Sequence, residues 1–170
     1  MMNSEGSMHY SFVVDHYGFV THSIPDACAM WCKLLGFSPD GPEVLDPEQR
    51  VRIQFLSHDD RSDFRIELLA PCDPASPVMK SARAGGGLHH VCVRVATLDE
   101  FAEQIGKTPL VPVSAPTPAP AFGGRKVAFA YLTGLGLLEF VESAGAPTLA
   151  AFTDPSFGEL RASFRTFLSS

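Results

Sequence analysis

GGGLHHVCVRV, residues Gly85 to Val95, sets a glycine hinge before two adjacent histidines and an alternating apolar run. Val91, Val93 and Val95 fall on one side of a two-residue period and His90, Cys92 and Arg94 on the other, the pattern of a half-buried strand. His89 and His90 therefore point in opposite directions. On this segment alone the ordinary reading is a hydrogen-bonded histidine at the mouth of a strand, so a ligand role needs partners elsewhere in the chain.

Those partners emerge from the order of elements on either side. Upstream, FVVDHYGFV alternates as a strand over residues 12–20, and IPDACAMWCKLLGF has helical apolar spacing with a Pro25-Asp26 start and a stop at Gly36. VRIQFL and FRIELLA follow as two strands of a meander around the polar turn SHDDRSD, with a further short strand near PEVL. Downstream, the order begins again: LHHVCVRV is a strand, ATLDEFAEQIG a short helix capped near Thr97 or Asp99, and RKVAFAYL and GLLEFVE are strands. The chain is an internal repeat, weak in identity and firm in layout.

Laying the halves over one another sets DHYGFV against HHVCVR and FRIELLA against GLLEFVE, so that His16 matches His90 and Glu67 matches Glu139. The spacings agree, with 51 positions from His16 to Glu67 and 49 from His90 to Glu139. Each glutamate interrupts an apolar strand, and a charge buried there is costly unless it is paired or bound to a metal. Two imidazoles and two carboxylates suit a divalent ion such as Co, Ni, Zn, Mn or Fe with positions left open for water or substrate. The alternative is an ion-pair cluster without metal.

Composition sets the outer limits. The chain has 170 residues, 45% of them hydrophobic, enough for a real core in one domain or two small fused halves. No apolar run approaches the ~20 residues of a membrane span, and the start MMNSEGSMHY has neither a basic region nor an apolar signal core, so a cytoplasmic location is expected. A net charge of −6 with scattered basic residues argues against a nucleic-acid face and for a small-molecule partner. Cys28, Cys32, Cys72 and Cys92 lack disulfide-scaffold or zinc-ribbon spacing and read as reduced thiols; packing is the stronger reading of the Cys28/Cys32 pair over a soft metal pair.

The stretches DHYGFVTHSIPDACAMWCKLLGF, IELLAP, GLHHVCVRV and FGGRKVAFAYLTGLGLLEFVE resemble the vicinal oxygen chelate (glyoxalase/bleomycin resistance/dioxygenase) superfamily, and within it methylmalonyl-CoA epimerases and glyoxalase I enzymes. The resemblance covers about residues 12–143. It implies an α+β fold of two tandem βαβββ modules forming a cupped, barrel-like mixed sheet with helices outside. It also implies His16, Glu67, His90 and Glu139 as metal ligands. Carboxylates at such a metal can move a proton, and Glu67 and Glu139, coming from related halves, are the expected catalytic acid/base groups. His89, matching Asp15, takes a structural or supporting role. The activity implied is a metal-dependent epimerase or isomerase acting next to a carbonyl, on an acyl-CoA or another carbonyl compound. The rivals are a glyoxalase I-like lactoylglutathione lyase and a metal-free small-molecule binding protein of the same fold. The epimerase pattern has a further glutamate on the strand occupied here by VRIQFL, which offers Arg52, Ile53 and Gln54 instead.

The expected organisation is a flexible N-terminus at residues 1–9, a first module at 10–75, a linker at 76–87, a second module at 88–145 and a helical extension at 146–170. Arg125 and Gly124 in the AFGGRK loop, with Gln54, are the expected substrate-binding residues: the glycines let backbone approach a ligand and the arginine can hold an anion. Arg65 and Arg94 are alternative anion anchors, or reach solvent. VPVSAPTPAPA is too proline-rich for regular structure and reads as an extended connection or lid. Beyond Asp154-Pro155, Phe157, Leu160, Phe164 and Phe167 or Leu168 form an apolar stripe that needs covering, by the chain's own domain or by a second copy in a homodimer.

Overall fold

A computed structural model describes residues 13–58, 60–99, 101–106 and 108–146. The N-terminal segment 1–9 and the Phe157–Leu168 stripe lie outside the described residues. Among the described residues the chain is α+β. Ten strands form one mixed sheet in the order β2-β4-β5-β1-β6-β10-β9-β7, with β3 on β4 and β8 on β9. In chain order these are β1 (Val14–Val20), β2 (Phe37–Pro39), β3 (Val44–Asp46), β4 (Val51–His58), β5 (Arg61–Pro71), β6 (Gly87–Val95), β7 (Leu110–Pro112), β8 (Thr117–Pro118), β9 (Lys126–Leu132) and β10 (Gly136–Glu142). The helices are α1 (Ile24–Leu35), α2 (Met79–Arg83) and α3 (Phe101–Ile105). No helix among the described residues is long and apolar enough to cross a membrane.

The chain divides into two compact units, and the division falls inside β6. The first comprises residues 15–92 with 118–125. Its helix α1 starts where Ser23 Oγ accepts from the Asp26 N–H at 3.4 Å, with Pro25 in the first turn, and it stops at Gly36, whose φ of 71° is left-handed. The inner stripe of α1 lays Ile24 and Ala27 against Phe37, Leu56, Ile66, Leu68 and Ala70, with Phe19 and Trp31 packed alongside. Burying each such large side chain contributes about 1.5–3 kcal/mol relative to leaving it exposed. β5 runs antiparallel to β4 and parallel to β1, in a register that sets Phe55 and Gly18 on either side of Glu67.

Because side chains alternate along a strand, that register gives the sheet two unlike faces. Leu56, Ile66 and Leu68 turn to α1. Phe55 and Glu67 turn the other way. The glycine hinge before β6 has a steric reason as well as a conformational one: Gly86 has φ 75°, and a Cβ there would stand 2.2 Å from the Val20 carbonyl oxygen.

The second unit, within the described residues, comprises 13–14, 93–117 and 126–146. Its core is Val95, Leu98, Phe101, Ile105, Leu110, Val127, Leu138, Phe140 and Val141. Phe101 from α3 meets Phe140 from β10 with ring centroids 6.1 Å apart. Glu142 accepts the Leu98 N–H at 2.9 Å, tying the turn before α3 to β10. The proline-rich connection differs from the sequence expectation, since Leu110–Pro112 pairs with β9 and Thr117–Pro118 forms a further bridge. Proline is tolerated there because β7 is an edge strand, with one side of its backbone outside the ladder.

Candidate metal centre

His16 comes from β1, Glu67 from β5 and His90 from β6, and all three are buried to within 2% exposure. Their tips converge. His16 Nε2 lies 3.2 Å from His90 Nε2, and Glu67 Oε2 lies 3.5 Å from the first and 3.4 Å from the second. Glu139 sits on β10 between Leu138 and Phe140, opposite Phe129, with 2% exposure. His16, Glu67 and His90 belong to the first unit and Glu139 to the second.

The donor chemistry fits a divalent ion. A carboxylate only accepts, so Asp15 Oδ1, 3.1 Å from His16 Nδ1, takes the hydrogen on that nitrogen and leaves Nε2 of the neutral ring as a lone pair. That lone pair faces a second imidazole nitrogen and a carboxylate oxygen. Ligand atoms bonded at about 2.0–2.2 Å to one ion stand roughly 3.0–3.6 Å from each other in tetrahedral or octahedral arrangements, which is the spacing of His16, His90 and Glu67.

Local sequence explains how the rings reach that point. A Cβ at residue 18 would stand 2.3 Å from His90 Cε1, so only glycine leaves room for the imidazole to lie across β1. Aromatic rings wall the site: Phe122 stacks on His16 with centroids 5.7 Å apart, and Phe55 meets His16 edge-on at 5.3 Å. Phe122 ends the short turn Pro120–Phe122, and Gly123 follows it in the left-handed region with φ 65°. His89 Nδ1 lies 2.9 Å from His90 Nδ1. Arg65 lies over the Phe55 ring at 3.7 Å, with its Nε 2.9 Å from Asp40.

The expected substrate-binding residues are placed differently from one another. Gln54 pairs with Leu68, on the face of β4 away from Glu67, and its amide donates to the Gly41 and Phe55 carbonyls at 3.0 and 2.9 Å. Arg125 donates from Nε to the Phe122 carbonyl at 3.2 Å, its guanidinium 5.5 Å from the Phe122 ring. Gly124 donates to the Ala119 carbonyl at 3.0 Å and closes the loop that carries Phe122. All four cysteines are free, and Cys28 and Cys32 Sγ approach to 3.9 Å on α1, where burial pushes the Cys28 thiol upward from its ordinary value.

Phe55, Phe122, Gly18 and Asp15 are the site residues that chemical motifs do not reveal. Gly18 carries the one usable signal, a glycine inside a strand two positions after a candidate ligand, which marks close approach of another group.

Solved structures similar to this chain include a hypothetical protein from Bacillus halodurans C-125, 28% identical with a TM-score of 0.67, covering 78% of this chain and 95% of that one. Methylmalonyl-CoA epimerase from Mycobacterium tuberculosis, at 24% identity and TM-score 0.68 over 88% of this chain and 99% of that one, shares the fold. A variant of Streptomyces coelicolor methylmalonyl-CoA epimerase in complex with 2-nitronate-propionyl-CoA is 26% identical, with TM-score 0.66 over 79% of this chain and all of that one, 100%. No curated protein sequence matches the chain. Residues 15–129, which carry the strands of His16, Glu67 and His90, match the model of the Glyoxalase/Bleomycin resistance protein/Dioxygenase superfamily, and the chain belongs to that superfamily.

Proposed function

We propose that this protein is a metal-dependent isomerase that moves a proton on the carbon next to a carbonyl, with an acyl-CoA thioester as substrate class. The observation that carries the reading is the convergence of His16, His90 and Glu67 on one point, within 3.5 Å of each other and buried. Glu139 is the proposed fourth ligand. Similarity to an epimerase holding an acyl-CoA analogue supports the substrate class.

A bound divalent ion would polarise the carbonyl oxygen and lower the cost of ionising the adjacent C–H. The chain's own groups do the rest. Glu139 takes the proton from the carbon, and Glu67, in its protonated form, is the proposed donor to the other face. Phe55 and Phe122 keep water from the reacting carbon. Arg125, on the loop that carries Phe122, meets an anionic group of the substrate.

A glyoxalase I-like lyase is the second reading, and the composition of β4 favours it. Ile53 and Phe55 occupy the positions of β4 that face with Leu69 and Glu67, so that strand offers apolar cover where a further base would stand. A hemithioacetal isomerisation returns the proton to a neighbouring carbon and needs no base there.

Incubation in deuterated water separates these readings. The metal-loaded enzyme is expected to wash deuterium into the 2-position of a 2-methyl acyl-CoA thioester, and Glu139→Gln to keep metal but lose most of the exchange, since an amide oxygen ligates but is no base. Exchange with hemithioacetals alone would establish the lyase. Absence of exchange across both panels, with no stoichiometric metal, would leave a small-molecule binding protein.

A further inference from the structure

On two different strands the residue immediately before a site histidine bonds to that histidine's other ring nitrogen. Asp15 Oδ1 lies 3.1 Å from His16 Nδ1 on β1, and His89 Nδ1 lies 2.9 Å from His90 Nδ1 on β6. The two partners occupy matching positions of the repeat, yet one is a carboxylate and the other an imidazole. That difference has a chemical consequence.

A neutral imidazole carries one N–H, and whichever nitrogen holds it gives up its lone pair. Asp15 can only accept, so it holds the hydrogen of His16 on Nδ1 and turns the Nε2 lone pair toward Glu67 and His90. Asp15 is itself 6% exposed and is supported: Arg65 Nη1 lies 3.8 Å from its Oδ1, and the guanidinium is held between the Phe55 ring and Asp40. An arginine bracing the carboxylate fixes the direction in which it accepts.

His89 is half-buried, and its Nδ1 can accept from His90 only while its own hydrogen sits on Nε2. The lone pair of His90 Nε2 toward the site is thereby tied to the tautomer of a second ring.

We propose that Asp15 and His89 are the positioning residues of the site, each fixing the Nδ1–H tautomer of the histidine that follows it, with Asp15 the stronger of the two. The tautomers belong to the chain before any ion is bound. The consequence for metal affinity rests on the metal-site reading above. Groups that hold the far nitrogen of a ligating histidine typically change metal affinity about 10–100-fold when removed.

The test uses the full chain labelled with ¹⁵N, stripped of metal, at a pH where both rings are neutral, read by long-range ¹H–¹⁵N correlation. His16 is expected to show a protonated Nδ1 and a bare Nε2 in the wild type, and a mixture of tautomers in Asp15→Ala. Cobalt(II) is then the probe, by competition with a chromophoric chelator and by its visible absorption. Asp15→Ala should bind it about 10–100-fold more weakly than wild type, Asp15→Asn should fall between because its amide oxygen still accepts, and His89→Ala should lose less than Asp15→Ala.

Thermal melts establish that each variant folds, and the isosteric Asp15→Asn carries the comparison if Asp15→Ala does not. A wild-type His16 protonated at Nε2 would overturn the proposal. So would an Asp15→Ala protein with wild-type cobalt affinity and spectrum. A wild type that binds no cobalt yet shows the Nδ1–H tautomer at His16 would sink the metal reading and uphold the positioning role.

Discussion

The two faces of the β4–β5 pair are made by the same backbone and differ in almost every physical respect. One turns Leu56, Ile66 and Leu68 to α1 and is closed by Phe37, Ile24 and Ala27, an apolar core. The other turns Glu67 toward His16 and His90 and covers them with Phe55 and Phe122. Both faces are buried. Burial on the first releases apolar surface from water, whereas burial on the second takes ionisable groups out of it at a cost that only pairing or an ion offsets. The first face holds the strands in register, and the register is what brings the second face together.

If that division of labour holds, the faces can be damaged separately, and the largest effects should not cross. His90→Ala is expected to abolish stoichiometric retention of zinc or cobalt while leaving the metal-free protein near its wild-type melting temperature. Leu56→Ala, at a position with 0% exposure, should cost about 2–5 kcal/mol of stability in urea unfolding and leave the metal content per folded molecule unchanged. Metal analysis and unfolding curves on the same two preparations check both. A His90→Ala protein that fails to fold, or a folded Leu56→Ala protein that has lost its metal, would show that the two faces act as one.

A smaller effect tests the contact by which β1 admits the site. Gly18 stands beside Glu67 in the ladder, and the His90 ring occupies the space a Cβ would fill. Gly18→Ala should therefore displace the imidazole while the strands stay paired. Overpacking of this kind costs about 1–3 kcal/mol, so the expected signature is a modest drop in stability with a larger drop in cobalt affinity. Wild-type affinity in this variant would mean that the His90 ring has another place to go.

The contrast between the faces also explains what could be read in the sequence. β1, β4, β5, β6, β9, β10 and α1 were legible because an apolar side chain every second or every third to fourth residue is the direct trace of a face being buried. His16, Glu67, His90 and Glu139 were legible for the opposite reason, as polar groups interrupting that trace at matched spacings in the two halves. Phe55 and Phe122 were not, because a ring that walls a site and a ring that fills a core leave the same mark. Gln54 carries the right chemistry for a substrate contact, yet one step of strand phase turns it from the Glu67 face and gives its amide to backbone carbonyls. The edge strand β7 was hidden by its prolines, which mark loops unless the partner geometry is known.

The smallest expected effect lies away from both faces, in the turn after β5, and measures how far electrostatics outside the site matters. Asp73 Oδ2 stands 2.9 Å from Arg50 Nε, and its Oδ1 accepts the Ala75 N–H at 2.7 Å. The Arg50 guanidinium, and after it the Ala75 N–H, hold the Asp73 carboxyl below the usual carboxylate range. A carboxylate whose folded value is depressed contributes stability that is present above its unfolded value and is lost as pH falls through the folded one. Asp73→Asn keeps an acceptor for the Ala75 N–H and removes the charge together with the acceptor for Arg50 Nε. Its melting temperature should lie slightly below wild type at neutral pH, and the gap should close as the pH is lowered through and below the ordinary carboxylate range. The gap is expected to be small and to shrink with added salt, because both partners are open to water. Cobalt affinity should not change at all. A pH-independent gap would mean that Asp73 acts through the turn geometry alone, and a change in cobalt affinity would tie this turn to the site and weaken the separation between the part of the chain that folds and the part that binds.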